Sequence, residues 1–154
     1  MSAGPRFADD LAFVRQHSPV VLLQDASGKA QVIVSPEHQG RVLTSSHAPD
    51  GPSFGFIKRP VIAAKQRTPH MTVPGGEERL WLGPEGGQFG LYFEPGAPYD
   101  LAHWQVPEPL DWGPWLVISQ SRSEIHVQKD MDLQNHAGTR FAARVDRRVR
   151  VLER

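Results

Sequence analysis

Within residues 75–93 the chain gathers Glu77, Glu78, Arg79, Trp81, Glu85, Gln88 and Tyr92, with His70 just upstream and Arg41 further back. Carboxylates and amides bond hydroxyl groups, and a guanidinium holds a carboxylate through its fork of donors. An indole stacks on an apolar C–H face. Together these groups have the chemistry of a surface for a polar small molecule, sugars included. The same composition also suits an ordinary solvated strand face between Gly-Pro and Gly-Gly turns. Residue types alone leave both readings open.

The spacing predicts that residues 75–93 form a β-hairpin. Residues 79–82 alternate, so that Arg79 and Trp81 share one face while Leu80 and Leu82 share the other. After a glycine-rich turn, Phe89, Leu91 and Phe93 point one way, and Gln88 and Tyr92 the other. The expected outcome is a concave polar face of Arg79, Trp81, Gln88 and Tyr92, with Glu77, Glu78 and Glu85 at its ends. Phe89, Leu91 and Phe93 are expected in the core.

The elements that must carry this hairpin are mostly strands. Residues 6–17 give the only good helix, with Phe7, Leu11 and Val14 at helical spacing, Asp9 and Asp10 early, and Ser18-Pro19 as the stop. Residues 20–24 and 30–35 read as a hairpin around Gly28, and residues 41–47 as a further strand that places Arg41, Leu43, Ser45 and His47 on one face. Residues 53–57 form a short extended segment. Residues 58–74 read as a long excursion interrupted by Pro60, Pro69 and Pro74, and long loops of this kind are often functional. Residues 99–113 are again irregular. Residues 115–119, apolar on both faces, read as a buried strand. Residues 124–129, 131–135 and 139–152 complete a meander, the last with arginines on its outer face. Fourteen glycines and fourteen prolines are spread along the chain as turn punctuation between these strands. The predicted fold is all-β: a single domain over 1–154, with a helical cap at 1–18 and antiparallel β-structure at 19–154. A chain of 154 residues is long enough to bury a core without covalent staples.

Composition narrows the chemistry further. There is no cysteine, which excludes disulfides, thiolate zinc sites and cysteine nucleophiles. Seven scattered histidines give no metal-ligand spacing, and no motif signals a cofactor. The 17 basic and 17 acidic residues cancel, which argues against a nucleic-acid partner, so the C-terminal arginines read as a solvated face. No apolar run approaches membrane-spanning length, and the N-terminus lacks a secretory layout; the expectation is a cytoplasmic protein with no membrane partner.

Several stretches resemble one family. They are His38-Gln39-Gly40-Arg41-Val42-Leu43-Thr44-Ser45-Ser46, Ser53-Phe54-Gly55-Phe56-Ile57, residues 75–93, Asn135-His136-Ala137-Gly138-Thr139-Arg140-Phe141 and residues 147–152. Together they are similar to an uncharacterised bacterial branch of the galactose mutarotase-like (aldose 1-epimerase-like) superfamily, over residues 18–154. The resemblance implies an antiparallel β-sandwich at 19–154, part of a β-supersandwich, with carbohydrate recognition on its concave face. Relatives of known chemistry interconvert sugar anomers with a glutamate as general base and a histidine as general acid. Members are about twice this length, so the chain is expected to correspond to an N-terminal half. The family's general-base glutamate lies in the other half and has no counterpart here. Asn135-His136 is only faintly like the epimerase Asn-His pair, and its flanks differ.

Mutarotation places one proton on the ring oxygen and removes one from the anomeric hydroxyl. Candidate acids and bases are Glu77, Glu78, Glu85, His47, His70 and His103, and Glu77, Glu78 and His70 form the expected catalytic set. Arg41, Arg79, Trp81, Glu85, Gln88 and Tyr92 are the expected substrate contacts. The alternative is a non-catalytic sugar-binding or structural β module, or an inactive fragment. A homodimer through the C-terminal edge strand is also expected, because Phe141, Val145, Val149 and Val151 form an apolar stripe on a strand that no later element covers.

Overall fold

Helix α1 (Phe7–His17) forms where the apolar spacing predicts it, with Asp9 and Asp10 in the first turn, where carboxylates favour the helix dipole. The computed structural model describes residues 4–152. Ser18 ends the helix in extended backbone, its N–H returning to the Val14 carbonyl at 2.9 Å. Asp10 faces inward and accepts from Ser53 Oγ at 2.6 Å and Arg59 Nη2 at 2.9 Å, which fastens the helix to the chain that follows the first sheet.

That first sheet is antiparallel, in the order β1 (Val21–Gln24), β2 (Gln31–Ser35), β3 (Arg41–Ser46). The β1–β2 hairpin turns at Gly28 as expected. Between β2 and β3 the register shifts: Ile33 pairs with Thr44 and Val34 with Val42, which leaves Leu43 as a bulge. The bulge divides the strand between two cores. Leu43 joins Phe7, Val14, Ile33 and Ile62 beneath the helix, while Val42 packs against the main cluster on the other side.

The second sheet, β4 (Leu116–Gln120), β5 (Glu124–Gln134), β6 (Arg140–Arg150), is also antiparallel and in sequence order. Ile125, Val127, Met131 and Leu133 of β5 meet Leu23 and Val34 of the first sheet, so the two sheets share one core. Leu91, Tyr92, Val106, Leu110 and Trp115, from the segment between the sheets, fill the rest of it. Among the described residues, no helix is long and apolar enough to cross a membrane.

Several local expectations are corrected. Two short helices, α2 (Arg59–Ala64) and α3 (Glu108–Asp111), lie in stretches read as irregular; each carries Pro in its first turn, where the missing N–H costs nothing. In the short segment 53–57 the backbone is taken singly, Phe54 N by Ser45 O and Gly55 N by Thr44 Oγ1, and Phe54 and Phe56 face solvent. The strand at 115–119 is not buried. Trp115 is, but every residue of β4 is exposed, because β4 is an edge strand with a register shift at Ile118. The two short strands expected at 124–129 and 131–135 are one continuous strand, β5. On β6, Val145 and Val149 pack half-buried on the main core, whereas Phe141 stays 42% exposed and α1 packs elsewhere.

His38 closes a 3-10 turn (Pro36–His38), with Nδ1 2.8 Å from Ser35 Oγ. Burial first, and then the neighbouring Arg41 charge, push its pKa down from 6.5 to about 4. The unfolded chain therefore takes up this proton first as the pH falls. The stability His38 supports is complete above about pH 6.5 and is lost as the pH drops towards 4, by about 3 kcal/mol. Urea titrations at pH 7 and pH 4.5 should show His38→Gln losing less stability than the parent over that interval. Equal losses would remove His38 from the account.

Candidate functional site

The site is built around a buried carboxylate. Asp111, at the end of α3, has a side chain with no solvent exposure. Its oxygens accept from Thr72 N at 2.9 and 3.1 Å and from Arg79 Nη2 at 2.9 Å, and Arg67 Nε approaches at 3.4 Å. Arg79 Nη1 also donates to Thr72 O at 3.1 Å, and Arg67 Nη2 donates to Val106 O at 2.9 Å. One carboxylate thus gathers residues 67 and 72 of the excursion, and residue 79 beyond it, onto the segment 106–111. Buried charges of this kind persist only when paired and fully bonded.

A second set of ties holds the following residues to β3. Gly75 and Gly76 adopt φ of +95° and +117°, and a Cβ on Gly75 would lie 2.0 Å from Phe56 O. Glycine is required there so that the backbone can pass this close. Arg41, 4% exposed, donates from Nη1 to Gly75 O and from Nη2 to Gln39 Oε1, each at 2.6 Å. Glu77 accepts from Ser45 N at 2.6 Å and from Ser45 Oγ at 2.8 Å. Glu78 accepts from Val42 N at 2.9 Å and from Arg147 on β6. Burial and the Arg79 charge lower the Arg41 pKa to about 10, with Glu78 acting in the opposite direction. Arg41, Glu77, Glu78 and Arg79 do line one open groove, of about 380 Å³. Both carboxylates in it are engaged in holding the loop to β3.

The predicted hairpin does not form. Residues 79–82 and 88–93 make no ladder with each other. The backbone of residues 88–90 instead pairs with the β5–β6 turn, where His136 N donates to Gly90 O and Ala137 N to Gln88 O, both at 2.9 Å. The faces change accordingly. Phe89 is 64% exposed, and Tyr92, expected on the outer face, is fully buried; Leu91 is buried and Phe93 half-buried. Tyr92 reaches residue 82 through its side chain, its hydroxyl donating to Leu82 O at 2.9 Å and accepting from Leu82 N at 3.3 Å. Burial raises its pKa. Gln88 is exposed.

Tyr92, Trp81 and Trp104 form a cluster of near-parallel rings, with centroids 4.7 Å (Trp81–Tyr92), 5.9 Å (Tyr92–Trp104) and 6.3 Å (Trp81–Trp104) apart and interplanar angles of 18°, 8° and 23°. Arg79 sits 5.2 Å over the Trp81 ring, and Trp81 Nε1 donates to Glu85 Oε1 at 3.0 Å. Trp104 lines a second groove, of about 330 Å³, with His70, His103, Glu94 and Gln105. His70 therefore lies apart from Glu77 and Glu78, with which it had been grouped. His47 stacks on Phe54, away from both grooves.

Trp104, Glu94 and Gln105 were not among the expected site residues. The one signal for them was an indole next to His103 in a proline-flanked loop; nothing local in the sequence shows that the loop returns to His70. Among the described residues, no group of three or more His, Asp or Glu is placed to hold a metal ion.

Residues 5–154 match a family of unknown function, DUF6786, and the chain belongs to that family. No curated protein and no solved structure matches the chain.

The Asp111 junction makes a direct prediction. Arg79→Met leaves a buried carboxylate short of its best cation and should lower the unfolding free energy by about 3 kcal/mol. Arg144→Met breaks the exposed Arg144–Asp130 pair on the second sheet and should leave the denaturation midpoint essentially unchanged. Equal effects in urea titrations would show that Asp111 does not organise the loop.

Proposed function

We propose that this chain recognises a carbohydrate in the groove walled by Trp104, as part of a β-sandwich of the galactose mutarotase-like kind. Two antiparallel sheets that share a core support the sandwich reading. The observation that carries the functional reading is the groove itself. An indole of a three-ring cluster stands beside two imidazoles, a carboxylate and an amide. An aromatic face takes the apolar C–H side of a sugar ring, and the polar groups take its hydroxyls. A groove of about 330 Å³ lies at the lower end of the size range of small-molecule sites.

In this reading the residues first picked for substrate contact act one layer back. Trp81, supported by Arg79 and Glu85, and the buried Tyr92 hold Trp104 in place. Arg41, Glu77 and Glu78 fix the loop that ends at Arg79. The second reading, a sugar module with no catalysis, is favoured by the engagement of Glu77 and Glu78, which accept bonds from Ser45, Val42 and Arg147.

Calorimetric titration with galactose, glucose and their uronic acids tests the proposal. At least one should bind saturably, and Trp104→Ala should weaken it by about tenfold or more, the loss expected for a stacking indole. Trp112→Phe, remote from the groove, should bind as the parent does. No saturable heat from any of these sugars would overturn the reading.

A further inference from the structure

We infer that a separate pocket, enclosed by the 3-10 turn Pro36–His38, the end of α2 and residues 112–114, binds a small monocarboxylate whose apolar body lies against Trp112. This pocket shares no lining residue with the Trp104 groove, and the inference does not rest on the carbohydrate reading.

The walls come from stretches distant in the chain, and they are bonded to their surroundings. Trp115 N donates to Pro36 O at 2.9 Å, and Gln39 Nε2 donates to Leu110 O at 2.5 Å, so the turn and residues 110–115 are tied together twice. Lys129 Nζ of β5 donates to Trp112 O at 2.5 Å and to Gly113 O at 3.3 Å. A pocket with walls fixed in this way exists before a ligand arrives, so little ordering opposes binding. Its volume, about 220 Å³, is the share of roughly seven waters in the liquid, which limits the ligand to a small molecule.

The lining joins apolar surface to polar groups that the fold itself does not use. Ile62 and the half-buried Trp112 supply the apolar part. His38 Nδ1 is taken by Ser35 Oγ, while Nε2 has no hydrogen-bond partner among the described residues. A hydroxyl can donate to Nδ1 of a neutral imidazole, and Nε2–H is then a donor for a ligand. Burial and the Arg41 charge, which lower the His38 pKa to about 4, keep the ring neutral at pH 7. Lys65 and Glu37 also line the pocket, and neither has an ion-pair or hydrogen-bond partner among the described residues. Lys65 ends α2 with a left-handed φ of 50°, a helix-end conformation that ordinarily goes to glycine. The lysine accepts a conformational cost there and sets a charge beside the pocket.

The balance of charge favours an anion. Lys65 lines the pocket, Lys129 is bonded to the main chain of its wall, and the Arg41 charge reaches His38. Against these stand Glu37 in the lining and Glu108, which acts on Lys129. A carboxylate suits the two donors, the Lys65 ammonium and His38 Nε2–H. The indole takes the apolar body of the ligand. Glu37 repels a second negative charge, which restricts the ligand to a monoanion.

Titration of the nitrogen-15-labelled full chain with benzoate, and separately with benzamide, tests the site at the indole N–H resonance of Trp112. Benzoate should move that resonance saturably, with a Kd of about a millimolar, as befits so few ligand atoms. Benzamide, similar in shape but uncharged, should bind about tenfold more weakly or worse. Lys65→Met should weaken benzoate by about tenfold or more, the loss of one charge-assisted bond. Glu37→Gln, which removes the repulsion, should tighten it. Neither side chain bonds to the rest of the described chain, so both variants should keep the parent's unfolding midpoint. No saturable shift of the Trp112 resonance with benzoate overturns the site. Equal binding of benzamide, or an unchanged benzoate affinity in Lys65→Met, overturns the carboxylate assignment. Weaker benzoate binding in Glu37→Gln overturns the restriction to a monoanion.

Discussion

The Asp111 side chain, buried without solvent contact, is the constraint on which the arrangement between the two sheets depends. A carboxylate removed from water is tolerated only when its lone pairs are filled. Here the donors come from the Thr72 main chain, Arg79 and, at longer range, Arg67. All three lie in a stretch with few ladder bonds of its own. The demand of one buried charge thus replaces the ladder that a strand would have supplied. It brings the stretch against α3, from which it continues to Gly75, Glu77 and Glu78 on β3. Arg147, reaching Glu78 from β6, carries the same network to the second sheet.

The sequence made the regular parts legible. Helix α1, the β1–β2 hairpin, β3 and β6 follow from local periodicity and turn residues, because their partners are neighbours in the chain; β5 was legible only as two shorter strands. Residues 75–93 alternate just as clearly, yet form no hairpin. Their backbone partners include Val42, Phe56, Gln105 and the β5–β6 turn, none of them the strand expected opposite. Periodicity reports which side chains could share a face. It does not report which strand edge will take the backbone bonds. Strand β4 illustrates the same limit from the other side: its apolar run reads as a core strand, but a sheet edge and a bulge leave it in solvent.

The candidate site divides along the same line. Arg41, Glu77, Glu78 and Arg79 do come together, as their charges suggested, but in the service of the loop. Nε of Arg41, Arg79 and Arg147 is buried without a hydrogen-bond partner, a desolvation cost that the remaining bonds of the cluster offset. Trp104, Glu94 and Gln105 carry no motif. They become a site only because Val106 N pairs with His70 O and Gln105 N with Tyr92 O, which sets residues 104–106 between two distant segments. That return of the chain is a tertiary fact, and local pattern does not encode it.

The central claim is that a sugar sits against Trp104. Of the four tryptophans, Trp104 lines the groove, Trp81 stands beside it in the ring cluster, Trp115 is in the core, and Trp112 lines a separate pocket. Each indole N–H gives its own resonance in an amide-correlation spectrum of the nitrogen-15-labelled protein. Titration with the sugar that binds should move the Trp104 resonance first and furthest, with a smaller shift at Trp81 and none at Trp112 or Trp115. Saturable movement of the Trp112 resonance with Trp104 unmoved would place the ligand elsewhere and contradict the account.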